Sequence, residues 1–239
     1  MSSPTRSAYE RALGSRTTEL HAVLQGYFAV IPPGSVGIGD GVFERFGSER
    51  PWLRPLLAVA ERCGVIASGF HRDVPFRIEN RTESGSQTAT RTLYFEDGAW
   101  SMVDAVSFVP DVRSSDGDAA GRDGESESGV AGSGGESEGG VVDVLGKPSI
   151  VEAEFDVDVV DGGLRLRSRR IVLRLGALRV SVPKAIRPVI ALSERFDDSI
   201  DRQRVDLVVD VPVIGRVYEY SGTFIYRIEP GDDSAQTVG

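Results

Sequence analysis

The chain has 239 residues, 40% hydrophobic and 26% charged, which suits one folded domain with a sizeable core and shows no repeat of solenoid length. Its formal charge of -9 is concentrated: Asp111 to Gly140 carries eight acids and two arginines, leaving 28 acids against 25 bases elsewhere. That near balance leaves no surplus of positive charge to neutralise phosphates, which argues against nucleic acid as a partner.

Cys63 is the only cysteine, so no internal disulfide is expected. The first thirty residues lack a signal-peptide pattern, and no apolar run approaches a bilayer span. A cytoplasmic address and no transmembrane segment are the expectation.

Taken in order, residues 1–8 read as a flexible terminus, with a helical turn from Tyr9 to Leu13 closed by Gly14. Thr18 is the predicted N-cap of a helix bearing Leu20, His21, Val23, Leu24, Tyr27 and Phe28, stopped by Ile31-Pro32-Pro33-Gly34. Ser35 to Phe46 is a strand in which Gly37, Gly39 and Gly41 share one face. The third glycine of a dinucleotide loop is missing, so these glycines predict close packing or a bend. Ser48 and Pro51 introduce a second helix, whose stripe of Trp52, Leu53, Leu56, Leu57 and Ala60 is expected on the sheet or in its concavity.

Asp73 to Arg81 is the next strand. Thr88 to Phe108 is a hairpin read about Asp97-Gly98, which sets Phe95 opposite Trp100, Leu93 opposite Met102 and Arg91 opposite Asp104. Two readings of the last pair stand open: an exposed rim ion pair, or a polar pair inside a ligand cavity. Residues 111–140, rich in Ser, Gly, Asp and Glu, bury too little to offset their ordering entropy and are expected to be a disordered insertion.

The clearest element is the hairpin around Asp161-Gly162. Val151, Ala153, Phe155, Val157 and Val159 alternate with acids, and both central residues of a type I′ turn need positive φ. Asp158 then faces Arg165, Val157 faces Leu166, Asp156 faces Arg167 and Glu154 faces Arg169. A one-residue slip would set carboxylates against leucines. Alternation changes phase near Arg169-Arg170, which predicts a bulge. Strands follow at Leu178 to Val182, Val189 to Phe196, Gln203 to Val211 and Tyr218 to Ile228, with a loose tail over residues 230–239. The fold class is mainly β (α+β): a curved, largely antiparallel sheet or partly open barrel of about nine to ten strands, with two helices in the N-terminal half.

Charges on buried phases mark the candidate site. Glu194 shares a face with Ile190, Leu192 and Phe196, and Arg91, Asp104 and Arg170 join it. Buried charge must be paired or neutralised. Such a cluster is either a structural pair or the seat for a ligand head whose body lies on Trp100, Phe95 and the tyrosines, Tyr218 and Tyr220 among them. The partner so implied is a small apolar or amphipathic molecule. The alternative is an enzyme or accessory subunit using Glu194 or Asp104 as acid or base. No catalytic residue is assigned and no cofactor or metal is expected, because His21, His71 and Cys63 have no ligand spacing. Cys63 and His71 as nucleophile and base lack an orienting third group.

A set of short segments adds a resemblance. They are Tyr9 to Gly14, Leu20 to Phe28, Ile31-Pro32 with Gly34-Ser35-Val36-Gly37, Pro51 to Ala60, Asp73-Val74-Pro75-Phe76 with Glu79-Asn80-Arg81, and Met102-Val103-Asp104. Leu164 to Ser168, Leu175 to Pro183, Glu194 to Asp198 and Gly215 to Phe224 complete the set. In this order they resemble the bacterial family catalogued as domain of unknown function 4166 (DUF4166), in its actinobacterial form. The resemblance implies a single domain over residues 9–229 and supplies no catalytic residues. It also hints at an accessory role, since some relatives look like appendages to oxidoreductase or epimerase domains. The acidic insertion departs from the family pattern of a short turn.

Overall fold

A computed structural model describes residues 6–83, 86–110 and 139–231. Twelve strands run in one antiparallel sheet: β1 Ser35–Gly47, β2 Phe70–His71, β3 Val74–Glu83, β4 Ser86–Phe95, β5 Gly98–Pro110 and β6 Gly139–Leu145. β7 Val151–Val160, β8 Gly163–Leu175, β9 Leu178–Ser181, β10 Val189–Asp197, β11 Arg202–Val211 and β12 Gly215–Pro230 follow. Ten of them close into a barrel. The partly open form that patterning left in play is ruled out by β8, thirteen residues long, which has two neighbours on one edge. Its first half pairs with β10, Leu164 opposite Glu194, and its second half pairs with β9, Val172 opposite Ser181. Closure leaves the barrel proper without a free edge.

The β7–β8 hairpin forms in the expected register. Asp161 and Gly162 have φ of 51° and 75°, Val157 faces Leu166, and Asp158 faces Arg165. The bulge falls at Arg169, so Glu154 lies opposite Arg170 rather than Arg169. Arg169 still reaches Glu154 at 3.5 Å and Asp156 at 3.4 Å.

The β4–β5 hairpin differs from expectation by two residues. Phe95 faces Gly98, Leu93 faces Trp100 and Arg91 faces Met102, so the loop is Glu96-Asp97. The reason is physical. A two-residue shift keeps every side chain on its own face, so hydrophobic alternation does not distinguish the two registers.

Three α-helices, not two, are found among the described residues: α1 Ala8–Leu13, α2 Ala22–Phe28 and α3 Arg54–Arg62. Ser7, placed in the flexible terminus by sequence, caps α1 through a capping box with Glu10, and Ala8 is buried. Thr18 does not cap α2. Residues Gly14–Glu19 form a 3-10 helix, and His21 is the N-cap, its Nδ1 accepting from the Val23 N–H. The last two residues of the expected insertion, Gly139 and Gly140, open β6. The rest of that insertion, residues 1–5 and the tail from 232 onward lie outside the described residues.

Successive hairpins of an up-and-down barrel turn at opposite ends, which places the helices. The β7–β8 and β10–β11 turns share one end, and α2 seats there. The His21 N–H donates to the Gly162 carbonyl (2.9 Å), and its ring stacks on Phe196 at 4.7 Å. α1 lies against β5, β6 and β7. Leu13, Leu24, Tyr27 and Phe28 are buried, so this segment plugs the barrel. α3 belongs to the other end, where the Lys147 N–H donates to the Cys63 carbonyl and Arg50 holds the carbonyls of Ile214 and Arg216. Leu53 and Leu57 are buried there, but Trp52 and Leu56 are exposed, so this helix does not fill the concavity. Its cap also differs: a short 3-10 turn with Arg50 at the N-cap precedes it.

A glycine stripe makes room for the interior rings. A Cβ on Gly37 would overlap the Tyr226 phenol, and one on Gly39 would come 3.1 Å from the Phe224 ring. This is the close packing that the stripe predicts.

Candidate functional site

The interior is apolar toward both ends and polar in the middle. On one side Phe43 stacks on Phe76 at 3.9 Å and Phe46 meets Tyr218. On the plug side Tyr27 packs edge-on against Tyr226 and Phe28. Between them, β4, β5, β6 and β10 bring Arg91, Asp104, Asp143 and Glu194 to one region.

Arg91 donates to Asp104 Oδ2. The pair spans the diagonal of the β4–β5 ladder, because Asp104 faces Ala89, two residues from Arg91. Asp104 is only 2% exposed, so this is an interior pair and not a rim pair. Burial works against the Arg91 guanidinium, but the Asp104 carboxylate, joined by the Tyr220 and Tyr27 phenols, outweighs it and the pKa is held up. Glu194 is buried between Leu164 and Val205, its neighbours on β8 and β11. Loss of water pushes its carboxyl up to about 7, with Arg91 pulling down and Asp104 pushing further up. Asp143 is also raised, first by burial and then by the like charge of Asp104. The phenols of Tyr9, Tyr27 and Tyr220 are raised, chiefly by burial.

These groups border two cavities. One, of about 10 Å³, lies among Tyr27, Phe43, Arg91, Glu194, Tyr220 and Phe224. The other, of about 40 Å³, lies beneath α1 and α2, among Tyr9, Tyr27, Asn80, Gln87, Asp104 and Glu194. One water needs about 10–15 Å³ by this measure, so the first holds at most one and the second a few. Neither approaches the roughly 300 Å³ or more of a drug-sized pocket. Around the larger cavity the polar atoms are poorly satisfied. Asn80 Oδ1, Gln87 Oε1, Asp104 Oδ1 and Glu194 Oε2 are buried with no hydrogen-bond partner, as is Asp143 Oδ1 close by. Native interiors leave few such atoms.

Of the seven residues singled out by sequence, four meet here: Arg91, Asp104, Glu194 and Tyr220. Three do not. Arg170 is carried outward by the bulge, pairs with Glu154 at 3.3 Å and donates to Ser181 Oγ. Trp100 faces Leu93 near the α3 end and lines neither cavity. Tyr218 is buried, but its hydroxyl donates to the Ala67 carbonyl (2.9 Å) and is occupied in closing that end. Cys63 and His71 make no site: the His71 ring engages the Ser68 carbonyl and Phe95. Among the described residues no cluster of His, Cys, Asp or Glu fits a metal ion, and no helix is long and apolar enough to cross a membrane.

Sequence reasoning missed Asp143, Gln87, Asn80 and the two plug tyrosines as site residues. Asp143 sits in Val141-Val142-Asp143-Val144-Leu145, where both phases are apolar and neither announces the interior. The capping pattern Ser7-x-x-Glu10 was the available signal for α1, and with it Tyr9.

Fold and site together define a closed ten-stranded antiparallel barrel, plugged at one end by an N-terminal helical segment, with a buried polar centre. The family model described as Domain of unknown function (DUF4166) matches residues 20–112 and 132–224, more than half of the chain, and the protein belongs to that family. No curated protein and no solved structure matches it.

Proposed function

We propose that this protein is a small-molecule binding module whose barrel interior takes the polar head of an amphipathic ligand. One observation carries the reading: among the described residues, four of the nine buried polar side-chain atoms without partners border a single cavity, and all four are oxygens. An unsatisfied buried polar group costs about 1–3 kcal/mol, and a purely structural core gains by replacing it with an apolar one. The closed barrel has room for the head alone. The ligand's body takes the place of Tyr27 and Phe28, the two buried rings that α2 delivers, so uptake requires α2 to withdraw from its seat at His21 and Gly162.

Native mass spectrometry on freshly purified protein tests this. The expected result is an adduct of small-molecule mass that is released on denaturation. A bare polypeptide mass in several preparations, with no adduct after incubation with a cell extract's small-molecule fraction, overturns it.

A second reading has its own support. A buried carboxyl held up to about 7 is poised for acid or base work near neutral pH, as in an enzyme or an accessory subunit of an oxidoreductase or epimerase system. Glu194→Gln separates the two. If Glu194 only holds the ligand, any molecule retained by the variant has the wild-type mass and connectivity. If it transforms the ligand, the variant accumulates a different one.

A further inference from the structure

We infer that the interior site selects a ligand bearing a small primary ammonium group, seated beneath α2 against Asp104 and Glu194. This rests on the reading of the barrel as a binding module and specifies the chemistry of its head group.

The argument begins with the direction of the open valences. Every partnerless atom lining the larger cavity is an oxygen: Asn80 Oδ1, Gln87 Oε1, Asp104 Oδ1 and Glu194 Oε2. With the carboxyls ionised, the ligand must therefore donate. Gln87 Nε2 donates to the Ala29 carbonyl (3.2 Å), which fixes Oε1 as its open acceptor, and the two carboxyl oxygens do not depend on any amide assignment.

Charge narrows the class further. Among the described residues, Asp104, Asp143 and Glu194 lie in one region with one arginine, Arg91, which already donates to Asp104 Oδ2; burial favours the protonated form of Asp143 and Glu194 when no cation sits beside them. An anionic head would add a like charge beside Asp104, and a neutral hydroxyl would give the two buried carboxyls no reason to ionise. An ammonium brings three donors and a positive charge against which Glu194 ionises, and charge-assisted hydrogen bonds are the stronger kind.

Size completes the selection. About 40 Å³ admits one nitrogen with a carbon or two. A quaternary ammonium is too bulky for this space and has no N–H to offer the oxygens, although the rings of Tyr9, Tyr27 and Phe28 also border the cavity.

The test uses simple ions on the intact chain at pH 8, with methylammonium, tetramethylammonium and sodium chlorides at matched ionic strength and thermal unfolding as readout. A ligand that binds only the folded state raises Tm in a saturable way. We expect a saturable rise of a few degrees with methylammonium, and with the other two salts only their shared baseline. Glu194→Gln, folded by circular dichroism, should lose the methylammonium-specific rise. Methylammonium indistinguishable from sodium overturns the inference, and so does an undiminished rise in Glu194→Gln, since the ion then binds elsewhere. Recovery of an anionic or neutral ligand by native mass spectrometry overturns the ammonium head while leaving the binding module standing.

Discussion

Gly37 lies beneath the Tyr226 phenol, so closely that a methyl group at position 37 would overlap the phenol oxygen. The missing side chain on β1 and the ring on β12 form one packing unit, and Tyr226 in turn meets Tyr27 edge-on at 4.7 Å. The plug is thus registered against the barrel wall through a ring that only glycine accommodates.

Gly37→Ala should therefore destabilise the fold by about 1–3 kcal/mol, the range for forcing extra volume into a packed core. Tyr226→Val in the same background removes the overlap, so the double variant should lose less than the sum of the two singles. Urea unfolding of the four proteins measures this. Strict additivity would mean that the two residues do not share the space.

Arg91 and Asp104 should respond unequally to substitution. Arg91→Ala leaves Asp104, Glu194 and Asp143 with no cation among them, and breaking a buried pair in this way costs about 3–5 kcal/mol. Asp104→Asn leaves Arg91 with two other carboxyls able to ionise beside it, so the loss should be clearly smaller. Equal losses in chemical denaturation would show that Glu194 and Asp143 do not compensate.

Stability should fall as pH rises through neutrality. Burial holds the Glu194 carboxyl up to about 7 in the folded protein, against an ordinary value of 4.5. The folded state therefore keeps a proton that the unfolded chain releases. The corresponding stabilisation is complete below about 4.5 and is lost as pH rises through about 7, amounting to about 3 kcal/mol. Asp143, also raised, acts in the same sense. Glu194→Gln should show a shallower decline between pH 5 and 8 in urea titrations. Parallel wild-type and variant curves would remove the protonated Glu194 from the account.

Tyr218→Phe should cost about 1–2 kcal/mol, because it strands the Ala67 carbonyl at the α3 end without its donor. Ligand retention should be unchanged, since Tyr218 lines neither cavity. A loss of bound molecule in this variant, seen by native mass spectrometry, would move the site to the opposite end of the barrel.

Some of this architecture is legible in the chain itself. The β7–β8 register is overdetermined, because charge pairing and hydrophobic alternation demand the same partners, and the turn needs two positive-φ residues that Asp161-Gly162 supplies. The phase break at Arg169-Arg170 announces the bulge, and the phase of Glu194 announces its burial. The bulge also shows the limit of that reasoning. Its position was readable, but not that it turns Arg170 outward to Glu154 and Ser181.

Amino-acid order alone determined which face each strand residue occupies, because the period of two is a property of the extended backbone and needs no partner. Tertiary structure decided whatever turns on distant neighbours. The β4–β5 ladder chose between registers two residues apart that leave every face unchanged. β8 closed the barrel by pairing with both β9 and β10, and the interior admitted the α1–α2 segment while leaving α3 at the far end. Asp143 joined the polar centre for the same reason: in a segment apolar on both sides, only the closed wall around it settles which side is inside.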